Sequence, residues 1–467
     1  MTVINIFLVG LLGLSFNASA FNTALSLEDW LQSQKQISVA RMMQNISPAG
    51  TAPGTVIASP SKYTPNYYFH WIRDASLTID QVVSLYVHEQ DKSNSIFLQR
   101  IQEFIQLSEL QQNEPGIQGL GEPRYLVTGA VDTTPWSRPQ SDGPALRALT
   151  LMRFLKLLPG DHPLYPQTSK VIRRDLHYVM LNWQLPCFDL WEELKGLHFY
   201  TQAVQQTALS AGSEFFRYEE EFSNELASAS QIVSLDLEKY WDAKNSLIGA
   251  SRDLEQTDNS QYKISNLDSA VILAALHSNN LVGRNHSLFF SSHLDRFLST
   301  AYLLELQFAK IYLVNSQTRA PAIGRFSDDI YFGGNPWYMT TLAFAEFYFK
   351  VALEIQNSEI IEITQLNLSF FKNALAMDRS LEPAVSLTEG EKIQNHSAKG
   401  KRLILSLQTR GNDFLETVRH YIGSQGEMSE QFDRQAGVPV SAPDLTWSYA
   451  SFLSALHARD TLKIIGR

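Results

Sequence analysis

The 467-residue chain is 44% hydrophobic and carries 38 basic against 48 acidic side chains, a formal net charge of −10. A net charge of that sign argues against nucleic acid and anionic membrane as partners, because both are bound through basic surfaces. The single cysteine excludes an intrachain disulfide, and no metal-type Cys/His spacing occurs, so stability must come from core burial and neither metal nor cofactor is expected.

Residues 2–16 are apolar and uncharged, and Ala18-Ser19-Ala20 follows as a small-residue cleavage site. The run is short for a membrane span, so residues 1–20 read as a signal peptide cut after Ala20. The expected product is an exported protein, extracellular or else periplasmic or lumenal, without stable membrane association. No Pro/Ser/Thr-rich linker divides residues 21–467, which read as one catalytic domain and as a monomer.

Ser26-Leu27-Glu28-Asp29 has the form of a capping box and predicts a helix to about Asn45. A Pro/Gly/Ser/Thr-rich loop from Ser47 to Pro65 delivers Tyr67-Tyr68-Phe69-His70-Trp71-Ile72-Arg73-Asp74. So dense an aromatic run ending in Arg and Asp reads two ways. It suits a core strand closed by an ion pair, and equally a platform whose rings stack on a pyranose while Arg and Asp bond its hydroxyls. Helices are predicted over Ala75–Val87 and Ser93–Gln112.

Two irregular stretches follow, Gly119 to Tyr125 and Trp136 to Arg147, with Pro144 placed for a helix first turn. The glycines form no phosphate cradle, since no strand leads in and no Gly-Lys-Ser/Thr follows.

The stretch Cys187 to Gln206 carries the chemistry. Asp189-Leu190-Trp191-Glu192-Glu193 precedes Gly196 and a run of helical apolar spacing, which puts two carboxylates beside an indole at the mouth of a helix. A carboxyl held against an aromatic wall keeps its proton to higher pH, and a better solvated neighbour stays charged. That suits acid catalysis on a sugar acetal. The alternative is a solvated acidic first turn favoured by the helix dipole. Cys187 lacks a Cys/His arrangement around it and reads as a buried apolar residue.

Beyond it the periodicity is helical almost throughout. Predicted helices are Pro144–Leu158, Thr168–Trp183, His198–Tyr218, Ser223–Tyr240, Leu267–His277, Ser292–Val314, Pro336–Glu354, Ile360–Leu375, Asp413–Ile422 and Leu445–Ala458. Alternating short and long connections suggest a closed double layer of helices with the long loops at one end. Two further loops repeat the acidic and aromatic theme: Gly324 to Trp337, containing Arg325 and Tyr331, and Met428 to Asp433 with Asp444 to Tyr449, containing Glu430 and Trp447.

In their order, the motifs YYFHWIRD, GLGEPRY, WSRPQSDGPALR, FDLWEE, GRFSDDIYFGGNPW, EMSEQFD and DLTWSY make the chain resemble the glucoamylases of glycoside hydrolase family 15, in particular the yeast-type members without a starch-binding domain. The resemblance implies an all-α (α/α)6 barrel and inverting, exo-acting hydrolysis of alpha-1,4-glucans, with slower alpha-1,6 cleavage and release of beta-D-glucose. It implies Glu192 as general acid and Glu430 as general base. Arg73, Asp74, Asp189, Glu193 and Arg325 would bind sugar, with Tyr67, Trp71, Trp136, Trp191, Tyr331, Trp337 and Trp447 as aromatic positions around the pocket. His70, Ile72, Lys195, Leu197 and Ser327 depart from the family pattern, which bears on chain-length preference. No starch-binding module follows Arg467, so soluble chains are expected over granules. The alternatives are a sister activity on trehalose or alpha-1,6-glucans and a non-catalytic carbohydrate-binding relative. Such a relative should have lost a carboxylate, whereas both are present.

Overall fold

The computed structural model describes residues 25–465 apart from 93, 115, 256–264, 281–287 and 378–384. The predicted signal peptide lies outside the described residues. The first helix, α1 (Leu27–Gln44), starts as expected at Ser26, whose side chain accepts from the Asp29 backbone N–H.

Six helices form an inner ring: α2 (Ile72–His88), α4 (Gly143–Leu155), α6 (Phe199–Phe215), α8 (Ala270–Asn280), α11 (Tyr338–Asn357) and α14 (Thr446–Ile465). Each packs on the next, and α14 closes back on α2. An outer layer is made by α1, α3 (Ile96–Asn113), α5 (Tyr165–Asn182), α7 (Glu220–Leu237), α10 (Leu294–Ile311) and α13 (Ala398–Tyr421), with the shorter α9 (Leu288–Ser292) and α12 (Leu368–Met377) beside them. This is the all-α double barrel.

Burial separates the two layers. Helix α11 buries 16 of its 20 residues, as an element surrounded on every side must. Outer helix α7 instead buries a stripe, Phe222, Leu226, Ser230, Val233 and Leu237, at three- and four-residue spacing. The apolar core therefore lies between the rings. Strands among the described residues are short, paired in twos and threes, and occur in the connecting loops.

Two predicted helices are corrected. Ile360–Leu375 divides into a strand, Ile360–Glu362, paired antiparallel with Lys392–Gln394, and α12, with Asn367 and Thr364 bonding each other at the break. The apolar β-branched pair Ile360-Ile361 suits the strand as well as a helix, and only the distant partner decides. Helix α13 starts at Ala398 rather than Asp413, capped by Ser397. Its glycines mark close packing, since a Cβ on Gly411 would lie 2.6 Å from the Phe349 ring.

Candidate active site

The acidic cluster sits on a hairpin turn, not at a helix mouth. Strand β1 (Cys187–Phe188) pairs antiparallel with β2 (Lys195–His198), Cys187 opposite Gly196 and Phe188 opposite Lys195. Asp189 closes the turn: its Oδ1 accepts from the Glu193 and Leu194 amides at 2.8 and 3.0 Å. Asp189 is buried and does not line the cavity, so its expected sugar contact is corrected to a turn-forming role. At the crest Glu192 has φ +66°, a left-handed conformation that costs an L-residue on the order of 1 kcal/mol. Ser137 Oγ donates to its carbonyl at 2.6 Å and helps hold it there.

Every other site residue put forward from sequence lines one cavity of about 740 Å³ at the N-terminal end of the inner ring. Its floor is built from helix starts, with Arg73 and Asp74 in the first turn of α2 and Trp447 in that of α14. The N-terminal ends of helices favour negative charge, which suits a carboxylate-rich site.

Glu192 is partly exposed in this cavity. Its Oε1 accepts from Trp71 Nε1 at 2.6 Å and from Gln140 Nε2 at 2.8 Å, and Oε2 has no hydrogen bond among the described residues. The indole on the carboxylate is therefore Trp71, not its sequence neighbour. Trp191 turns the other way, donating to both oxygens of Asp268 at 3.1 Å and packing 5.6 Å from Trp337.

Glu430 faces the same cavity from the opposite part of the chain and is 1% exposed. It precedes the short hairpin of Gln431–Phe432 and Pro439–Val440, which brings Ser441 over it. Glu430 Oε2 accepts from Ser441 Oγ and from Gln431 Nε2 at 3.1 Å, and the nearby Tyr67 hydroxyl also favours its charged form. Burial pushes this carboxyl up to about 7, against the pull of those donors and of Arg325. The Tyr67 hydroxyl also bonds that of Tyr331 at 2.6 Å, and both phenols feel the charges of Glu192 and Glu430.

Two buried arginines anchor the walls. Arg73 donates from Nη1 to Gln140 Oε1 and Asp142 Oδ2, both at 3.0 Å, and its Nε lies 3.5 Å from Asp74. Burial opposes its charge, but Asp142 and Asp74 outweigh that. Burial also raises Asp74, to about 6, against Arg73. Arg325 holds Asp329 through Nε at 2.8 Å and through Nη2, which also reaches Glu193 Oε1 at 2.7 Å. Burial raises Glu193 against that pairing. The tight turn that places Asp329 needs Gly334 at φ +63°, where a Cβ would meet the Asp329 carbonyl at 1.9 Å.

Sequence reasoning missed Gln140, Asp142, Asp268, Asp329 and Ser441. Gln140, Asp142 and Asp329 stand inside stretches already singled out, and their company was the available signal. Asp268 and Ser441 carry none, because only folding puts them against Trp191 and Glu430.

Residues 33–457 match the sequence profile of glycosyl hydrolases family 15. The chain belongs to that family. It is 34% identical to a glucoamylase of Blastobotrys adeninivorans over 96% of this chain and 74% of the relative. With a glucoamylase of Saccharomycopsis fibuligera the identity is 32%, over 94% and 91%. The solved glucoamylase structure from Saccharomycopsis fibuligera superposes with a TM-score of 0.85 at 30% identity, covering 94% of this chain and 96% of that one. More distant glycosidase structures, 14% identical with a TM-score of 0.58, share the fold.

Within this family 15 chain, the five positions expected from the sequence to depart from the family pattern do not line the cavity. His70 is buried, accepts from the Val56 amide at 2.9 Å and is lowered by burial to about 3. Ile72 packs against Gly143, and Lys195 pairs with Glu255 at 2.8 Å. Leu197 and Ser327 are only partly buried but likewise stand away from it. Cys187 is buried, and burial pushes its thiol up to about 12, consistent with a packing role.

Proposed function

We propose that this family 15 enzyme is an exo-acting, inverting glucan 1,4-alpha-glucosidase that releases beta-D-glucose from the non-reducing ends of maltooligosaccharides, soluble starch or glycogen. The observation that carries this reading is the pair of glutamates on one cavity in different surroundings, Glu192 with an unbonded oxygen and Glu430 buried among hydroxyl donors. Glu192 protonates the glycosidic oxygen from Oε2. Glu430 takes a proton from a water that attacks C1 on the opposite face, so the C1–O bond breaks as the new one forms and the anomeric configuration inverts.

Arg73, Asp74, Glu193 and Arg325 hold the hydroxyls of the terminal glucose. Trp71, Trp136, Trp191, Trp337, Trp447, Tyr67 and Tyr331 supply ring faces to it and to the next sugar. The reading of the protein as exported rests on the sequence of residues 1–20, and that of residues 21–467 as one catalytic domain on the lack of a linker within them. No helix among the described residues is long and apolar enough to cross a membrane.

Proton NMR of maltotriose digestion tests the reading. Beta-glucose as the earliest product supports it. Alpha-glucose first would mean retention and overturn the acid and base assignment, and hydrolysis of trehalose in place of maltotriose would move the activity to a sister substrate.

A further inference from the structure

One buried cation beside the acid has no part in the mechanism so far. The two-residue strand His70–Trp71 pairs antiparallel with Arg124–Tyr125, and Trp71 stands directly opposite Arg124. Arg124 is 4% exposed, and its Nε donates to buried Asp132 Oδ2 at 2.7 Å while Nη2 reaches Thr134 Oγ1 at 3.3 Å. Asp132 in turn accepts from the Thr134 amide and hydroxyl, so the guanidinium plane is fixed in orientation.

That plane lies among aromatic faces. The guanidinium carbon is 3.4 Å from the Trp136 ring centroid, 4.1 Å from Phe69 and 5.1 Å from Trp71. Trp136 is 37% exposed at the cavity rim and has no side-chain hydrogen bond among the described residues, so packing, including that against Arg124 and Trp71, sets its orientation. Its aromatic neighbour is Trp71, at 6.0 Å and 67°. Trp71 carries the N–H that meets Glu192.

We propose that Arg124 is a positioning residue for the hydrolysis: stacked on Trp136 and Phe69 and tied to Asp132, it holds the rim indole where the second sugar of the chain stacks and steadies Trp71 against Glu192. This deepens the glucan-hydrolase reading and rests on it for the role of the sugar. A partly exposed indole would otherwise rotate about its side-chain bonds, and ordering it on binding would cost affinity. Only a planar cation can stack this way, so lysine is no substitute despite its charge.

Arg124→Lys is the test. Two indoles about 6 Å apart should give a coupled signal in the circular dichroism spectrum, and the variant should lose it in the absence of substrate. Its KM for maltotriose should rise roughly fivefold to tenfold, the range expected for a lost stacking interaction, with a smaller fall in kcat. Should Arg124→Lys fail to fold, Asp132→Asn keeps the guanidinium but frees its plane, and the same signal and KM should change in the same direction. A spectrum and KM equal to the parent's, with only thermal stability reduced, would make Arg124 a purely structural ion pair and overturn the proposal. If the parent itself does not cleave maltotriose, the functional reading fails, and the substrate-free spectrum still decides whether Arg124 orients the indoles.

Discussion

The two sides of the cavity use the same side chain in opposite ways. Glu192 stands on a strained hairpin crest, partly open to the cavity, with two N–H donors on one oxygen and none on the other. Glu430 is sealed beside a second hairpin and surrounded by Ser441, Gln431 and Tyr67. A proton donor must reach the leaving oxygen and is presented outward. A base that prepares one water is better held rigid and dry, at the cost of a raised pKa. On the proposed reading, environment more than residue type assigns the roles.

The sharpest way to break that comparison is to exchange each carboxyl for an amide. Glu192→Gln and Glu430→Gln should each lose at least the roughly 100-fold in kcat typical of general acid–base groups on maltotriose. They should separate on alpha-glucosyl fluoride, whose leaving group needs no proton. Glu192→Gln should keep turning it over and Glu430→Gln should not; equal loss in both would show that the roles are wrongly divided.

The next effect concerns stability. Glu430 titrates near 7 in the folded chain against an ordinary value of 4.5. Its protonated form therefore favours the fold: the contribution is complete below about 4.5 and is lost as pH rises through about 7. Glu430→Gln removes that loss. Denaturant unfolding at pH 8 should show the variant more stable by about 2 to 3 kcal/mol, with no gain at pH 4. Equal stability at both pH values would mean that Glu430 is not held in a desolvated site.

The smallest effect sharpens the base side alone. The Ser441 hydroxyl favours the charged form of Glu430, so Ser441→Ala should raise its pKa. The acidic limb of kcat/KM, where the base becomes protonated, should then move up by about half a unit to one unit. A limb that stays in place would separate Ser441 from catalysis.

Much of this was legible in the chain. The helical periodicity, the capping signal at Ser26 and the acid, arginine and aromatic clusters ahead of predicted helices anticipated the double barrel and nearly the whole lining of the cavity. The errors have local causes. Glu192 and Glu193 looked like a helix start because Phe199 onward is helical, yet the pairing of Cys187 with Gly196 makes a turn of them. Trp191 looked like the acid's aromatic wall because it is adjacent in sequence, but consecutive residues in so tight a turn point apart.

Sequence by itself determined which side chains this protein has to work with and on which loops they ride, because helical spacing and turn-forming residues act over a few positions. Tertiary structure alone decided which of them meet. Trp71 and Gln140 reach Glu192, Ser441 covers Glu430, and Asp268 turns Trp191 aside, each across loops that the closed ring of six inner helices brings to one end. That closure also set the burial that pushes Glu430 up and leaves Glu192 partly open. Desolvation depends on everything packed around a group, and no stretch of sequence contains it.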